Sequence, residues 1–363
     1  VNKQAKFNKP MNSHKNWNEL PRKIGEPDFN NLLSILRCEK PTRPTLFEFF
    51  HNDPLYRRFA KPGDLSKNRL APFRFWIKAF RNSGYDYATV ASWHLNALNF
   101  PAGERAQGQT INLNEGGVIK DRASFDAYKW QDPDAGDYSP LADLEDDLPK
   151  GMKLVVSGPG GLLENAVSLV NYEHLCYMIL DNETLAFDLF EAIGSRLVKY
   201  YKNCVKYKTV GACISNDDWG FKSQTMFSPA DMRRFVFPWH KQMVETIHAA
   251  GQPAILHSCG NVTSVMDDII DDMKYDGKHS YEDTIQPVED VFDQYHGRIA
   301  VLGGIDMDFI CRAKPEEIFA RSTAMLEQTA DYGGYALGTG NSVPEYVPDE
   351  NYFAMIQAAL NMR

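Results

Sequence analysis

Short apolar runs recur along this chain at intervals that leave room for a helix between most neighbours, and that alternation constrains the fold more than any single residue does. The runs fall at residues 44–50, 85–91, 153–157, 211–215, 253–257, 276–279, 299–303 and 335–337. Each has strand length, and most empty into polar or glycine-rich loops. Helical periodicity fills most of the gaps. It is clearest over 229–250, where Met232, Phe235, Trp239, Met243 and Ile247 recur every three or four residues. Ser228 is placed there as an N-cap, Pro229 as the first helical residue, and Gly251 as the stop. Strand and helix repeated eight times predict an α/β fold, a closed parallel (β/α)8 barrel of the TIM type. An open doubly wound sheet is the competitor, but no GxGxxG follows the first strand and no Walker loop occurs. Residues 1–27 read as a polar arm and residues 28–363 as one barrel, with a short helix over 28–38 ahead of the first strand. Residues 112–150, rich in Asp, Gly and Pro, read as an insertion between strands two and three.

With 363 residues and 43% hydrophobic content, the chain can bury a large core. Its net charge of -9 comes without a basic stripe, which excludes nucleic acid as the expected partner. No apolar run is long enough to span a bilayer, and the polar N-terminus has no apolar signal core, so a cytoplasmic location without membrane partner is expected. Six widely scattered cysteines in a core-rich chain are not a disulfide framework.

One cysteine stands apart. His257-Ser258-Cys259 ends the run 253–257, and residues two apart on a strand share a face. An imidazole and a thiolate aimed the same way make half of a zinc site, because zinc accepts both nitrogen and sulfur. Barrel chemistry sits where strands end. Those ends collect Glu48, His51, His94, residues 216–219, His279 to Asp283, Asp306 and residues 338–341. Several have plain alternatives. Asp217 serves equally as a turn residue, Glu282 and Asp283 as helix caps, and His279 as a residue orienting a ligand. Trp219 reads as a pocket wall, and His240 and His248 as surface or packing residues of their helix.

Phe227-Ser228-Pro229, Phe237-Pro238, residues 257–261 (His-Ser-Cys-Gly-Asn), Gly303-Gly304-Ile305-Asp306 and Gly338-Thr339-Gly340-Asn341, with Pro344 and Asn351, resemble the uroporphyrinogen decarboxylase superfamily. The resemblance runs from about residue 28 to the C-terminus. It implies a TIM barrel and two branches of activity: decarboxylation of a tetrapyrrole, or zinc-dependent methyl transfer involving corrinoid proteins or thiols. The decarboxylases carry arginines in the loop after strand one, where this chain has Phe47-Glu48-Phe49-Phe50-His51-Asn52-Asp53. An acidic mouth repels a polycarboxylate. The methyltransferase branch carries His-x-Cys after strand five and a cysteine after strand eight, and related methionine synthases add a glutamate after strand six. His257, Cys259 and Glu282 match as metal ligands, while Asn341 stands where the last cysteine is expected, so an amide oxygen, a water or a neighbouring acid such as Asp218 would complete the shell.

The resemblance therefore implies one zinc per chain and a methylated, for example methoxylated, small-molecule donor. The acceptor would be a corrinoid on a separate protein, since the chain has no Asp-x-His-x-x-Gly motif of its own. Fewer thiolates leave the metal more Lewis acidic, which suits polarising an ether oxygen. Asp217, Asp218 and His279 are the expected proton donors, and Glu48, His94, Trp219 and Asn341 the expected substrate contacts. A tetrapyrrole decarboxylase and a non-catalytic binding barrel are the alternatives, and self-association into a homodimer is left open.

Overall fold

A computed structural model of the chain describes residues 16–19, 24–104 and 112–363. Seven strands form one parallel sheet in sequence order: β1 Tyr87–Ala91, β2 Lys153–Ser157, β3 Val210–Asn216, β4 Ala254–His257, β5 Gly277–His279, β6 Ala300–Leu302 and β7 Tyr335–Ala336. Helices cover the outside, so the strands are buried on both faces and read as continuous apolar runs rather than alternating ones. The result is the expected TIM barrel.

The eighth position departs from expectation. Residues 44–50 run extended but make one isolated bridge, Leu46 to Leu337, with Phe47 N–H donating to Leu337 O at 2.8 Å and Leu337 N–H to Thr45 O at 2.9 Å. On the other side no backbone bond joins residues 44–50 to β1 among the described residues. The Tyr87 side chain fills that seam. Its hydroxyl accepts from Glu48 N at 2.8 Å and donates to Glu48 O at 2.5 Å. A phenol thus replaces a stretch of ladder.

The insertion falls between β1 and β2, where short helices Arg122–Ala127 and Ser139–Asp143 and two 3-10 turns replace a single crossover helix. Of the arm expected over 1–27, residues 1–15 and 20–23 lie outside the described residues. Trp17 is buried against Phe319, with its indole N–H donating to Glu316 at 2.7 Å, so that part of the arm docks on helix Pro315–Thr329. The helix before the first strand spans Asn30–Leu36. No helix among the described residues is long and apolar enough to cross a membrane.

The helix expected as one piece over 229–250 is interrupted. Pro229–Asp231 is followed by a π-helical turn, Met232–Val236, and then by Phe237–Ala249. Pro238 explains the break, since its ring has no N–H and clashes with the carbonyl four residues back unless the turn widens. The wider turn rotates the C-terminal part of the helix, and His240 becomes fully buried. At the other end of the chain, Asp349–Leu360 is buried almost throughout. Its Asn351 donates to Ile310 O at 2.7 Å and Ala313 O at 3.2 Å, satisfying carbonyls left over at the end of helix Met307–Arg312.

Candidate metal centre

Register brings the central residues together. His257 and His279 are paired across β4 and β5, and Asn216 of β3 is paired with His257. Inside the barrel Phe49 lies 4.7 Å from the His257 ring and Phe47 lies 5.1 Å from the His279 ring, centroid to centroid. Both imidazoles are buried, and burial is the main reason both resist protonation: His279 is held down to about 3, and His257 well below the ordinary histidine value.

Their tautomers follow from the hydrogen bonds. Thr339 O can only accept, and His279 Nε2 lies 3.2 Å from it, so Nε2 carries the His279 proton. His279 Nδ1 is then a lone pair, and it accepts from His257 Nδ1–H at 2.8 Å. That leaves His257 Nε2 as a lone pair, 3.7 Å from Cys259 Sγ. A neutral histidine whose far nitrogen is fixed by a second group is the usual state of a metal ligand.

Asp218 completes the group. One ligand atom each from Asp218, His257 and Cys259 lie within 4.8 Å of one another. Asp218 Oδ1 accepts from Cys259 N–H at 2.9 Å. Burial raises the Asp218 carboxyl, and burial followed by the Asp218 charge pushes the Cys259 thiol up to about 12. Two donors already face the sulfur: Asn341 Nδ2 at 3.2 Å and Ser280 Oγ at 3.4 Å. Both bonds favour a thiolate, and a cation would overcome what burial opposes. A nitrogen, a sulfur and a carboxylate oxygen gathered beside an open cavity fit zinc, with one position left over.

The other expected site residues fall elsewhere. Glu282 is not among the clustered ligand atoms; it lies beside Lys278 and Ser280 on the wall of a neighbouring cavity. Asp217 is unsuited to the proton-donor role expected of it. Its carboxylate accepts from Leu163 N and Glu164 N, both at 2.9 Å, and meets His240 Nε2 at 2.9 Å. It caps the helix Leu162–Val170 and is completely buried. His240, expected as an ordinary helix residue, is the other half of that lock and also meets Tyr275 OH at 2.7 Å. His279 orients His257. Trp219 packs fully buried against Phe237 and His240. Glu48 is buried and bonded to Thr339, while His94 stacks on Trp76 at 3.8 Å. Asn341 does reach the cluster, through the Cys259 sulfur.

Two participants escaped the reading of the sequence. Lys278, buried in β5, donates to Ser280 O at 2.6 Å, and Ser280 takes a left-handed backbone with φ of 84°. A lysine inside a parallel strand was the available signal, because lysine is almost never fully buried without purpose. Glu164 is the second. Burial, then Asp217 and Asp218, push its carboxyl up to about 8, and together with Asp218 it lines a cavity of about 860 Å³, open mouth included, walled by Leu163, Val167, Phe221 and Met226.

Fold and site together define an α/β-barrel protein with a histidine, a cysteine and an aspartate that could hold a metal ion gathered at the carboxyl ends of its strands. The sequence model of uroporphyrinogen decarboxylase (URO-D) matches residues 139–362, more than half of the chain, and the protein belongs to that family. No curated protein matches it. Among solved structures, a methyltransferase from Methanosarcina mazei is similar over 92% of this chain and 98% of its own, at 14% identity and a TM-score of 0.67. A protein described as a vitamin-B12-independent methionine synthase from Listeria monocytogenes covers 93% of this chain and 98% of its own, at 11% identity and a TM-score of 0.45. At such identities the first likeness speaks for the fold alone, and the second carries no argument.

Proposed function

We propose that this chain is a zinc-dependent methyltransferase that takes a methyl group from an uncharged methylated small molecule, such as a methoxylated aromatic, for transfer to a corrinoid carried by a separate protein. The observation that supports it most is the neutral, tautomer-fixed His257, whose Nε2 lone pair faces the Cys259 sulfur and converges with Asp218. Those three residues would hold the metal, with Asp218 in the place expected for Glu282. When bound, zinc supplies a Lewis acid for the heteroatom that carries the methyl group.

The remaining roles belong to the chain. The cavity beside Asp218 has apolar walls for the body of the donor. Among the described residues its lining carries no basic side chain to pair with the carboxylates of a tetrapyrrole, which counts against that donor. Glu164, whose carboxyl is raised by burial first and then by Asp217 and Asp218, is the proton source assigned to the departing oxygen in place of Asp217. His279 and Thr339 keep His257 in the ligating tautomer. The likeness to a methyltransferase fold agrees with this reading.

Elemental analysis of wild type beside Cys259→Ala tests it. We expect about one zinc per chain in the wild type and loss of metal by a factor of about 100 in affinity in the variant. Demethylation of methoxylated aromatics is then assayed with a Co(I) corrinoid protein. No zinc after reconstitution under reducing conditions overturns the metal mechanism.

A further inference from the structure

Glu48 sits where the ring of strands closes, without accessible surface. Its Oε1 accepts from Thr339 N–H at 2.7 Å, and its Oε2 lies 2.7 Å from Thr339 Oγ1. The same hydroxyl is hydrogen-bonded to Asn341 O. A backbone carbonyl only accepts, so the single hydroxyl proton of Thr339 goes to Asn341 O. The contact with Oε2 then needs a second proton, and Glu48 is the group that can carry it. Burial acts the same way, pushing this carboxyl up to about 8.

Thr339 connects Glu48 to both arms of the metal centre. Its carbonyl takes the His279 proton, which sets the tautomer of His257. Its hydroxyl holds the carbonyl of Asn341, whose amide donates to the Cys259 sulfur. We propose that Glu48, as a neutral acid donating to Thr339 Oγ1, is a positioning residue that aligns the 339–341 turn with both the histidine pair and the Cys259 sulfur. Its effect on metal affinity rests on the reading of the cluster as a metal centre; its protonation state does not.

The test uses the full chain, Co2+ as the metal probe, and Glu48→Gln beside Glu48→Ala. Glutamine presents an N–H where the acid presents O–H and keeps an oxygen for Thr339 N–H. Glu48→Gln is therefore expected to hold Co2+ within about threefold of wild type, with unchanged ring 15N shifts for His257 and His279. Glu48→Ala is expected to lose about 10-fold or more in Co2+ affinity, to change the thiolate-to-cobalt absorption and to shift those ring nitrogens. The infrared difference between wild type and Glu48→Gln at neutral pH should show the carbonyl stretch of one protonated buried acid, which Glu164 leaves untouched because it is common to both.

A glutamine variant as damaged as the alanine variant, or no such band in the difference spectrum, overturns the proposal. A folded alanine variant with wild-type affinity and ring shifts overturns it too. Should Glu48→Ala not fold, the glutamine comparison and the infrared band decide. Wild type that binds no Co2+ refutes the metal reading, while ring shifts and infrared still decide the role of Glu48.

Discussion

Two buried histidines stand on either side of the barrel wall, and their surroundings differ in one respect. Outside the wall, His240 has both ring nitrogens engaged, one with Asp217 and one with Tyr275. Inside it, His257 has one nitrogen engaged by His279, while the lone pair of the other meets only the weak donor Cys259 Sγ at 3.7 Å, beside the Asp218 carboxyl. The acids repeat the contrast. Asp217 is saturated by two backbone N–H groups and a histidine, whereas Asp218, its neighbour in sequence, accepts one backbone N–H. A buried polar group whose partners are complete stabilises the fold; one whose partners are incomplete stands ready to receive something.

The contrast breaks if the two histidines are interchangeable under mutation. His257→Ala should lower zinc affinity by about 100-fold or more and, in metal-free protein, cost less in unfolding than His240→Ala, because it unpairs His279 Nδ1 alone. His240→Ala should do the reverse. It leaves Asp217 and Tyr275 without a buried partner and should cost about 3 kcal/mol in denaturant unfolding, with zinc affinity retained in the folded fraction. Equal effects of the two variants on both readouts would remove the distinction.

A second experiment sharpens the incomplete side. Asn341→Cys adds a thiolate beside Cys259, where the amide now donates to the sulfur at 3.2 Å. Tighter zinc by about tenfold, followed in a competition titration with a chelator, is the expected outcome. Weaker activity toward ether donors should accompany it, because more thiolate makes the metal a poorer Lewis acid.

The smallest effect concerns a surface histidine that serves as a control. His248 pairs with Asp276 at 2.7 Å, and that hydrogen bond raises its pKa. A raised histidine value means stabilisation that is full below the unfolded value of about 6.5 and is lost as pH rises through the folded one. The pair is about one-third exposed, so solvent screening holds the contribution below about 1 kcal/mol. His248→Ala should therefore lower the unfolding midpoint slightly at acid pH and leave it unchanged in mildly alkaline buffer.

The same contrast separates what was legible in the sequence from what was not. Seven of the eight apolar runs became strands because a buried parallel strand leaves a local imprint of apolar residues bounded by turn formers. Residues 44–50 carry that imprint too, yet their pairing is finished by the Tyr87 side chain, which no local pattern announces. His257 and Cys259 were legible because two residues apart on a strand is a geometric statement in itself. Asp218 was open to the sequence as one way to complete the shell, but the capping role of Asp217 was not, since it depends on the helix Leu162–Val170 arriving over one carboxylate and missing the other. His240 was concealed by Pro238, whose π turn changes the phase of the helix. Glu282 matched an expected position in sequence, but the gathering of ligand atoms is a distance relation that spacing alone does not contain.

The Tyr87 bridge has a mechanical consequence. A closed hoop of backbone bonds resists widening all the way round, whereas a hoop joined at one point by a side chain behaves as a split ring. Parting residues 44–50 from β1 requires breaking the two bonds of a single phenol, while every other junction between neighbouring strands must give up backbone ladder. Radial breathing of the cylinder is therefore concentrated at this seam, and the amides facing it should exchange with solvent before those of β3 or β4. Glu48 lies on one lip of the split, so the compliant side of the barrel also carries the carboxyl that reaches into the metal centre through Thr339.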